Sequence, residues 1–237
     1  MAGILHQASA MAKTRLIRSS DLPYHVTART NNREPFHLPM DQVWEILNDA
    51  LLVNTWFFKI DVHAFVLMPN HFHLMLTTPA EDLGQVMNFF MSQVTIEMNR
   101  RSGRTGRVFG GPYHRTLIDS HRYFLNVYRY IYQNPVRAKL CARVEEYDFS
   151  TIERWSVRAG FPVFVPSVVR GGIEERFFES AERQLNWLNT PVSKRQAEFI
   201  QLGLRRQRFR VSSNKAERRH SHLSNLFKID PAQLLGA

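Results

Sequence analysis

The chain has 237 residues, 44% apolar and 12% aromatic with 17 Phe, which is enough for a real core and too apolar for wholesale disorder. Lys and Arg outnumber Asp and Glu by 31 to 21 and the sequence pI is about 10.2, a balance that favours a polyanionic partner, nucleic acid first. The single cysteine, Cys141, excludes an intrachain disulfide and a cysteine-rich zinc site and makes a reducing cytoplasm the default compartment; no apolar run approaches the ~20 residues of a membrane span.

Residues 1–20 read as a flexible lead-in, with Met11 as a second plausible start and no basic-then-apolar signal pattern. Tyr24-His25-Val26-Thr27-Ala28-Arg29-Thr30 alternates as a strand and closes at Asn31-Asn32. Asp41 is the expected N-cap of a helix through about Leu52, with Val43, Ile46, Leu47 and Leu51 at helical spacing. A strand from Phe57 to Met68, a Pro69-Asn70 turn and a strand from His71 to Thr77 predict an antiparallel pair.

Thr78-Pro79-Ala80-Glu81 has the form of a capping box with Pro at the first helical position. It opens a helix whose buried stripe is Leu83, Val86, Met87, Phe90, Val94 and Met98 and whose stop is Gly103. The basic stretch Arg101–Arg107 reads as a hairpin tip or a phosphate contact, and Val108-Phe109 and His114–Ile118 as strand. Ser120 caps a further helix from His121 to about Gln133. Helices alternating with hairpin-joined strands predict an α+β fold, a ferredoxin-like antiparallel sheet with helices packed on it. Beyond residue 142 the pattern becomes irregular, with helices expected near 174–189 and 193–209. Lys194 to Arg219 carries nine Lys or Arg against two Glu, a solvated face or a nucleic-acid arm.

His71-Phe72-His73 carries the chemistry. Residues two apart on a strand project from one face, so both imidazoles aim the same way and form half of a metal site. Ten His in the chain give about 0.4 such pairs by chance, so the pair needs company. The helix over 120–134 offers it. Phe124, Val127, Tyr128 and Ile131 form its apolar face, Tyr123 and Tyr130 lie on the flank, and Asn134 falls one turn beyond Tyr130. Pro135 makes Asn134 the expected helix end.

Three segments in order carry a family resemblance: Tyr24–Arg29, Met68-Pro69-Asn70-His71-Phe72-His73-Leu74, and Tyr130-Ile131-Tyr132-Gln133-Asn134-Pro135-Val136-Arg137-Ala138. Together they resemble the single-tyrosine HUH transposases of the IS200-like type, in particular the REP-associated tyrosine transposase branch. The likeness runs from about residue 15 to 155, with Trp155-Ser156 matching a pair near the end of that domain. It implies a catalytic domain over 21–155 and is silent about a basic, mainly helical extension over 156–237. By matching positions it implies His71 and His73 as metal ligands, Tyr130 as the nucleophile and Asn134 as the third ligand. The implied activity is cleavage and rejoining of single-stranded or hairpin DNA through a 5′-phosphotyrosine, by a cytoplasmic, DNA-associated monomer or homodimer with no membrane partner.

Two imidazoles, an amide oxygen and phosphate oxygens suit Mg²⁺ or Mn²⁺, whereas a structural Zn²⁺ wants four closed ligands. His63 and His114 are spare histidines, each most simply an ordinary polar residue. Arg29, Arg33, Arg115 and Arg137 are the candidates for phosphate and base contacts. Two other readings fit the same residues: a non-catalytic DNA-binding descendant, and a metallohydrolase with another substrate.

Overall fold

A computed structural model describes residues 17–80, 82–152 and 181–209, apart from the side chains of His121, Arg122 and Ala181. The elements are β1 (Tyr24–Arg29), α1 (Met40–Phe58), β2 (Asp61–Met68), β3 (His71–Thr77), α2 (Leu83–Ser102), β4 (His114–Leu117), α3 (His121–Arg137), α4 (Ala181–Asn189) and α5 (Lys194–Gly203). The strands form one four-stranded sheet in the order β2-β3-β1-β4, antiparallel at every pairing. With α1 joining β1 to β2 and α2 joining β3 to β4, this is the expected ferredoxin-like α+β arrangement. None of the described helices is long and apolar enough to cross a membrane.

Strand alternation decides what each face of the sheet does. Tyr24, Val26 and Ala28 of β1, Phe65 and Leu67 of β2 and Phe72, Leu74 and Leu76 of β3 point into one core. That core is closed by Val43, Leu47 and Leu51 of α1 and Val86, Phe90 and Val94 of α2. The opposite face presents Ala64, Val66, Met68 and Met75 to α3, whose Phe124, Val127, Tyr128 and Ile131 are all buried there. The polar residues of β1, His25, Thr27 and Arg29, alternate onto this second face beside His71 and His73.

Several element boundaries differ from the sequence expectation. The first helix starts at Met40 behind Pro39 and runs to Phe58, so Phe57 and Phe58 are helical and β2 starts only at Asp61. Asn54 and Thr55 spend their side-chain donors on the Ala50 and Leu51 carbonyls four residues back, so the polar pair does not interrupt the helix. Lys59, at φ 55°, ends it in the left-handed region. The second helix starts at Leu83 after Asp82, not at the Thr78 box, because Thr78 is fully buried at the exit of β3. Gly103, at φ 65°, stops it as expected. Val108-Phe109 is not a strand; Phe109 forms a lone bridge to Thr30.

Asn134 is not a helix end, since α3 continues through Pro135 to Arg137. Proline has no N–H for the Ile131 carbonyl, and the Asn134 amide stands in by donating to the Ile131 and Tyr130 carbonyls at 3.3 and 2.9 Å. At the chain's far end the expected start near 174, along with Trp155 and Ser156, lies outside the described residues. Helix α5 ends at Gly203 because the chain then turns back to β4, where Leu117 exchanges backbone hydrogen bonds with Gln207 and Phe209 at 2.8 Å each. A Cβ on Gly203 would sit 2.6 Å from the Phe209 ring, so only glycine fits that turn. The other sheet edge is covered as well: Phe149 and Thr151 bond to Leu67 and Phe65 of β2 at 2.9 Å.

Gln133, buried on α3, holds α4 and α5 to the sheet layer. Its amide donates to the Leu188 and Thr190 carbonyls at 2.6 Å each and its oxygen accepts from the Val192 N–H at 3.1 Å. Gln133→Ala leaves three backbone groups without partners in a closed interface. The expected loss is about 3 kcal/mol, read as a lowered urea midpoint with the slope retained.

Candidate active site

In the sheet register Arg29 lies opposite His71 and Thr27 opposite His73, which makes His25 the diagonal neighbour of His73. The His71 and His73 rings meet edge to face with centroids 5.0 Å apart, and His25 stacks on His73 at 5.2 Å. Each histidine of the 71–73 pair has one ring nitrogen engaged behind it. His71 Nδ1 lies 2.7 Å from Asn70 Oδ1, an acceptor, so that nitrogen carries the proton and Nε2 keeps its lone pair. Asn70 is itself fixed, its amide donating to the Arg33 carbonyl at 2.6 Å and its own carbonyl accepting from the Thr30 N–H at 2.9 Å. The Pro69-Asn70 turn therefore sets the tautomer of His71 as well as the register of the hairpin.

His73 Nδ1 lies 3.0 Å from His25 Nε2, while its Nε2 is buried with no hydrogen-bond partner among the described residues. Such an orphan is costly as an N–H donor and chemically useful as a lone pair. Donation from His73 Nδ1 to His25 Nε2 leaves the lone pair on His73 Nε2, the arrangement in which metal-binding histidines are held.

Burial drives all three imidazoles toward the neutral form. His25 is pushed down to about 3 by desolvation. His71 falls to about 4 by desolvation and then the Arg29 charge, and His73 lies well below its ordinary value through burial, its two histidine neighbours, Arg29 and Arg137. A stability prediction follows from the sign. Unfolded histidine takes up a proton near pH 6.5, whereas the folded groups resist until about 4 and about 3. These groups leave stability flat above pH 6.5 and erode it as pH falls toward 4, by several kcal/mol in metal-free protein. Thermal midpoints in EDTA at pH 8, 6 and 5 should show a plateau and then a steep fall.

Helix α3 brings Tyr130 to this face. Its ring stands edge-on to His73 at 5.9 Å, and the Arg137 guanidinium lies over it, 5.3 Å from the ring centre. Its hydroxyl bonds to no side chain or backbone group among the described residues. The other α3 tyrosines are occupied elsewhere. Tyr128 accepts from Gln184 at 2.9 Å, Tyr132 is bonded to Thr151 at 2.8 Å, and Tyr123 packs on Phe209 with ring centres 4.7 Å apart. Asn134 hydrogen-bonds within its own helix rather than to either histidine, and because its nitrogen caps two carbonyls its oxygen is the end left for other partners.

The four arginines separate. Arg29 and Arg137 bring positive charge to the histidine face. Exposed Arg33 joins it through its backbone, via Asn70. Arg115 lies on the sheet's other side, with Leu117 rather than Thr116, its guanidinium 5.7 Å from the centre of the Tyr113 ring. His63 is a buried partner of Thr77 at 2.7 Å, and His114 is exposed at the start of β4. His25 was not singled out from the sequence. Its signal was there: a histidine, a threonine and an arginine on the polar alternation of a strand whose other side is wholly apolar.

Among the described residues no group of three or more His, Cys, Asp and Glu side chains converges as a metal site. Of the expected ligands, His71 and His73 share one face, with Nε2 of His73 unpartnered among the described residues, while the Asn134 amide is bonded within its own helix.

No family model matches the chain, and no curated protein matches it. Among solved structures, it has the fold of a REP-associated tyrosine transposase bound to a REP hairpin, with a TM-score of 0.53 and 20% identity over 67% of this chain and 93% of that one. A candidate transposase from Deinococcus radiodurans R1 aligns at 19% identity and a TM-score of 0.35, over 52% of this chain and 95% of that one. The fold that the sequence motifs implied is the fold observed.

Proposed function

We propose that the chain is a single-tyrosine HUH transposase of the REP-associated branch, cutting and rejoining single-stranded or hairpin DNA with Tyr130. The observation that carries this reading is the placement of Tyr130 alone among the α3 tyrosines against the His71–His73 pair, its ring under Arg137. The hairpin in the structure of similar fold supports the same class of substrate.

The phosphate enters a face made positive by Arg29 and Arg137. The Tyr130 hydroxyl gives its proton to water as its oxygen attacks phosphorus; an O–P bond forms, the bond to the 3′-oxygen breaks, and that oxygen takes a proton from water as the free 3′-hydroxyl. A divalent ion held by His71, His73 and Asn134 would neutralise the phosphate and order its oxygens for in-line displacement. The neutral histidines act as lone-pair donors rather than acids. The phosphotyrosine keeps the phosphodiester energy, so attack by a 3′-hydroxyl rejoins the strand without ATP.

The test is an end-labelled hairpin with single-stranded flanks, incubated with protein and Mn²⁺. A 5′-phosphotyrosine transfers a 3′-end label to the protein in SDS and leaves a 5′-end label on free DNA. Tight binding without transfer points instead to a non-catalytic DNA binder. Neither binding nor transfer leaves a metallohydrolase acting on something else.

A further inference from the structure

Between α2 and the 106–113 segment leading into β4 lies an open groove of about 620 Å³ whose walls are mostly apolar. Its size is that of small-molecule sites in general. Ile96 on its α2 wall is 61% exposed, an apolar side chain the fold does not cover. Facing wall residues include Tyr113, a half-buried ring carrying the Arg115 guanidinium 5.7 Å from its centre. Exposed Arg107 lines the groove as well, and Asn88, Ser92 and Thr95 supply hydrogen-bonding side chains along α2.

The groove is tied to the histidine face through the backbone. Gly110 N–H donates to the Arg29 carbonyl at 2.9 Å and Asn31 N–H to the Val108 carbonyl at 3.0 Å, while Arg29 is the register partner of His71. Gly110 therefore stands two strand spacings from His71, roughly 10 Å. An aromatic ring backed by a guanidinium, an apolar wall, a cation at the mouth and a chain of net charge +10 together suit an unpaired nucleobase with its phosphate.

We propose that this groove is a subsite for an unpaired base of the DNA strand a few nucleotides from the cleaved phosphate, stacked on Tyr113 with Arg107 on its phosphate. The subsite rests on the transposase reading for the nature of its ligand. It gives Arg115 a role away from the metal: holding the ring on which the base stacks.

The experiment compares two fluorescent DNAs on the full chain, a blunt hairpin and the same hairpin with a randomised four-nucleotide single-stranded extension. Tyr113→Ala is expected to weaken the extended DNA by roughly 5- to 150-fold and to leave the blunt hairpin unchanged, with Tyr113→Phe near the parent. Ile96→Asp, at an exposed position outside the core, should show the same extension-only loss. Equal affinity of parent and both variants for the extended DNA overturns the subsite, as does an equal loss on both DNAs. Label transfer in the parent protein is scored separately. Transfer with no effect of Tyr113 or Ile96 removes the subsite and keeps the transposase; an extension-specific effect without transfer keeps the subsite and removes the enzyme.

Discussion

Tyr130→Phe should lower covalent capture of DNA by at least about 10⁴-fold while affinity for the same DNA stays within about threefold. The ring, its edge contact with His73 and the Arg137 stack all survive the substitution, so only the attacking oxygen is removed. That hydroxyl has no partner among the described residues, so no buried hydrogen bond is lost and thermal stability should hardly change. The neighbouring tyrosines make opposite controls. Tyr128→Phe and Tyr132→Phe each delete a buried hydroxyl contact, to Gln184 and Thr151 respectively, and should cost stability while leaving capture intact. Tyr123, half-buried where Tyr130 is buried, is the remaining candidate, packed on Phe209 at the other end of the helix. Capture that persists in Tyr130→Phe and disappears in Tyr123→Phe would move the nucleophile there.

Helical spacing put Tyr130, together with Tyr123, on the flank of the apolar face drawn from Phe124, Val127, Tyr128 and Ile131; the family resemblance and the four-residue step to Asn134 singled Tyr130 out. The His71–His73 pair was legible for the matching reason, because period-two alternation fixes which side of a strand each residue takes. Local rules failed where a side chain overrode them. Asn134 and Pro135 together look like a stop, yet the asparagine amide replaces the proline's missing donor and the helix runs on. Thr78 to Glu81 looks like a cap, yet Thr78 is sealed in at the end of β3. His25 was out of reach for another reason. Its partner is 48 positions away, and only the pairing of β1 with β3 brings their rings together. The split of the arginines between two faces of the sheet likewise depends on β4 joining β1, which no motif in the chain announces.

The largest expected effect outside the nucleophile belongs to that hidden histidine. His25→Leu should weaken Mn²⁺ binding by about 10- to 100-fold, measured on DNA-free protein by paramagnetic resonance of the unbound ion, and His25→Gln should restore most of it. The reason is tautomeric. With His25 Nε2 accepting from His73 Nδ1, the His73 proton is fixed on the far nitrogen and the lone pair stays on buried Nε2. Leucine fills the space without an acceptor, so nothing holds the proton on Nδ1 and the lone pair on the atom that should bind metal. Glutamine supplies a carbonyl oxygen to the same donor, which is why its rescue separates positioning from packing: a purely structural role would be served better by leucine. His71→Ala calibrates the scale, since loss of a direct ligand should exceed the His25 effect and glutamine should not repair it. Should His25→Gln fail as His71→Ala does, His25 binds the ion itself; should His25→Leu bind Mn²⁺ like the parent, the imidazole pair needs no support from β1.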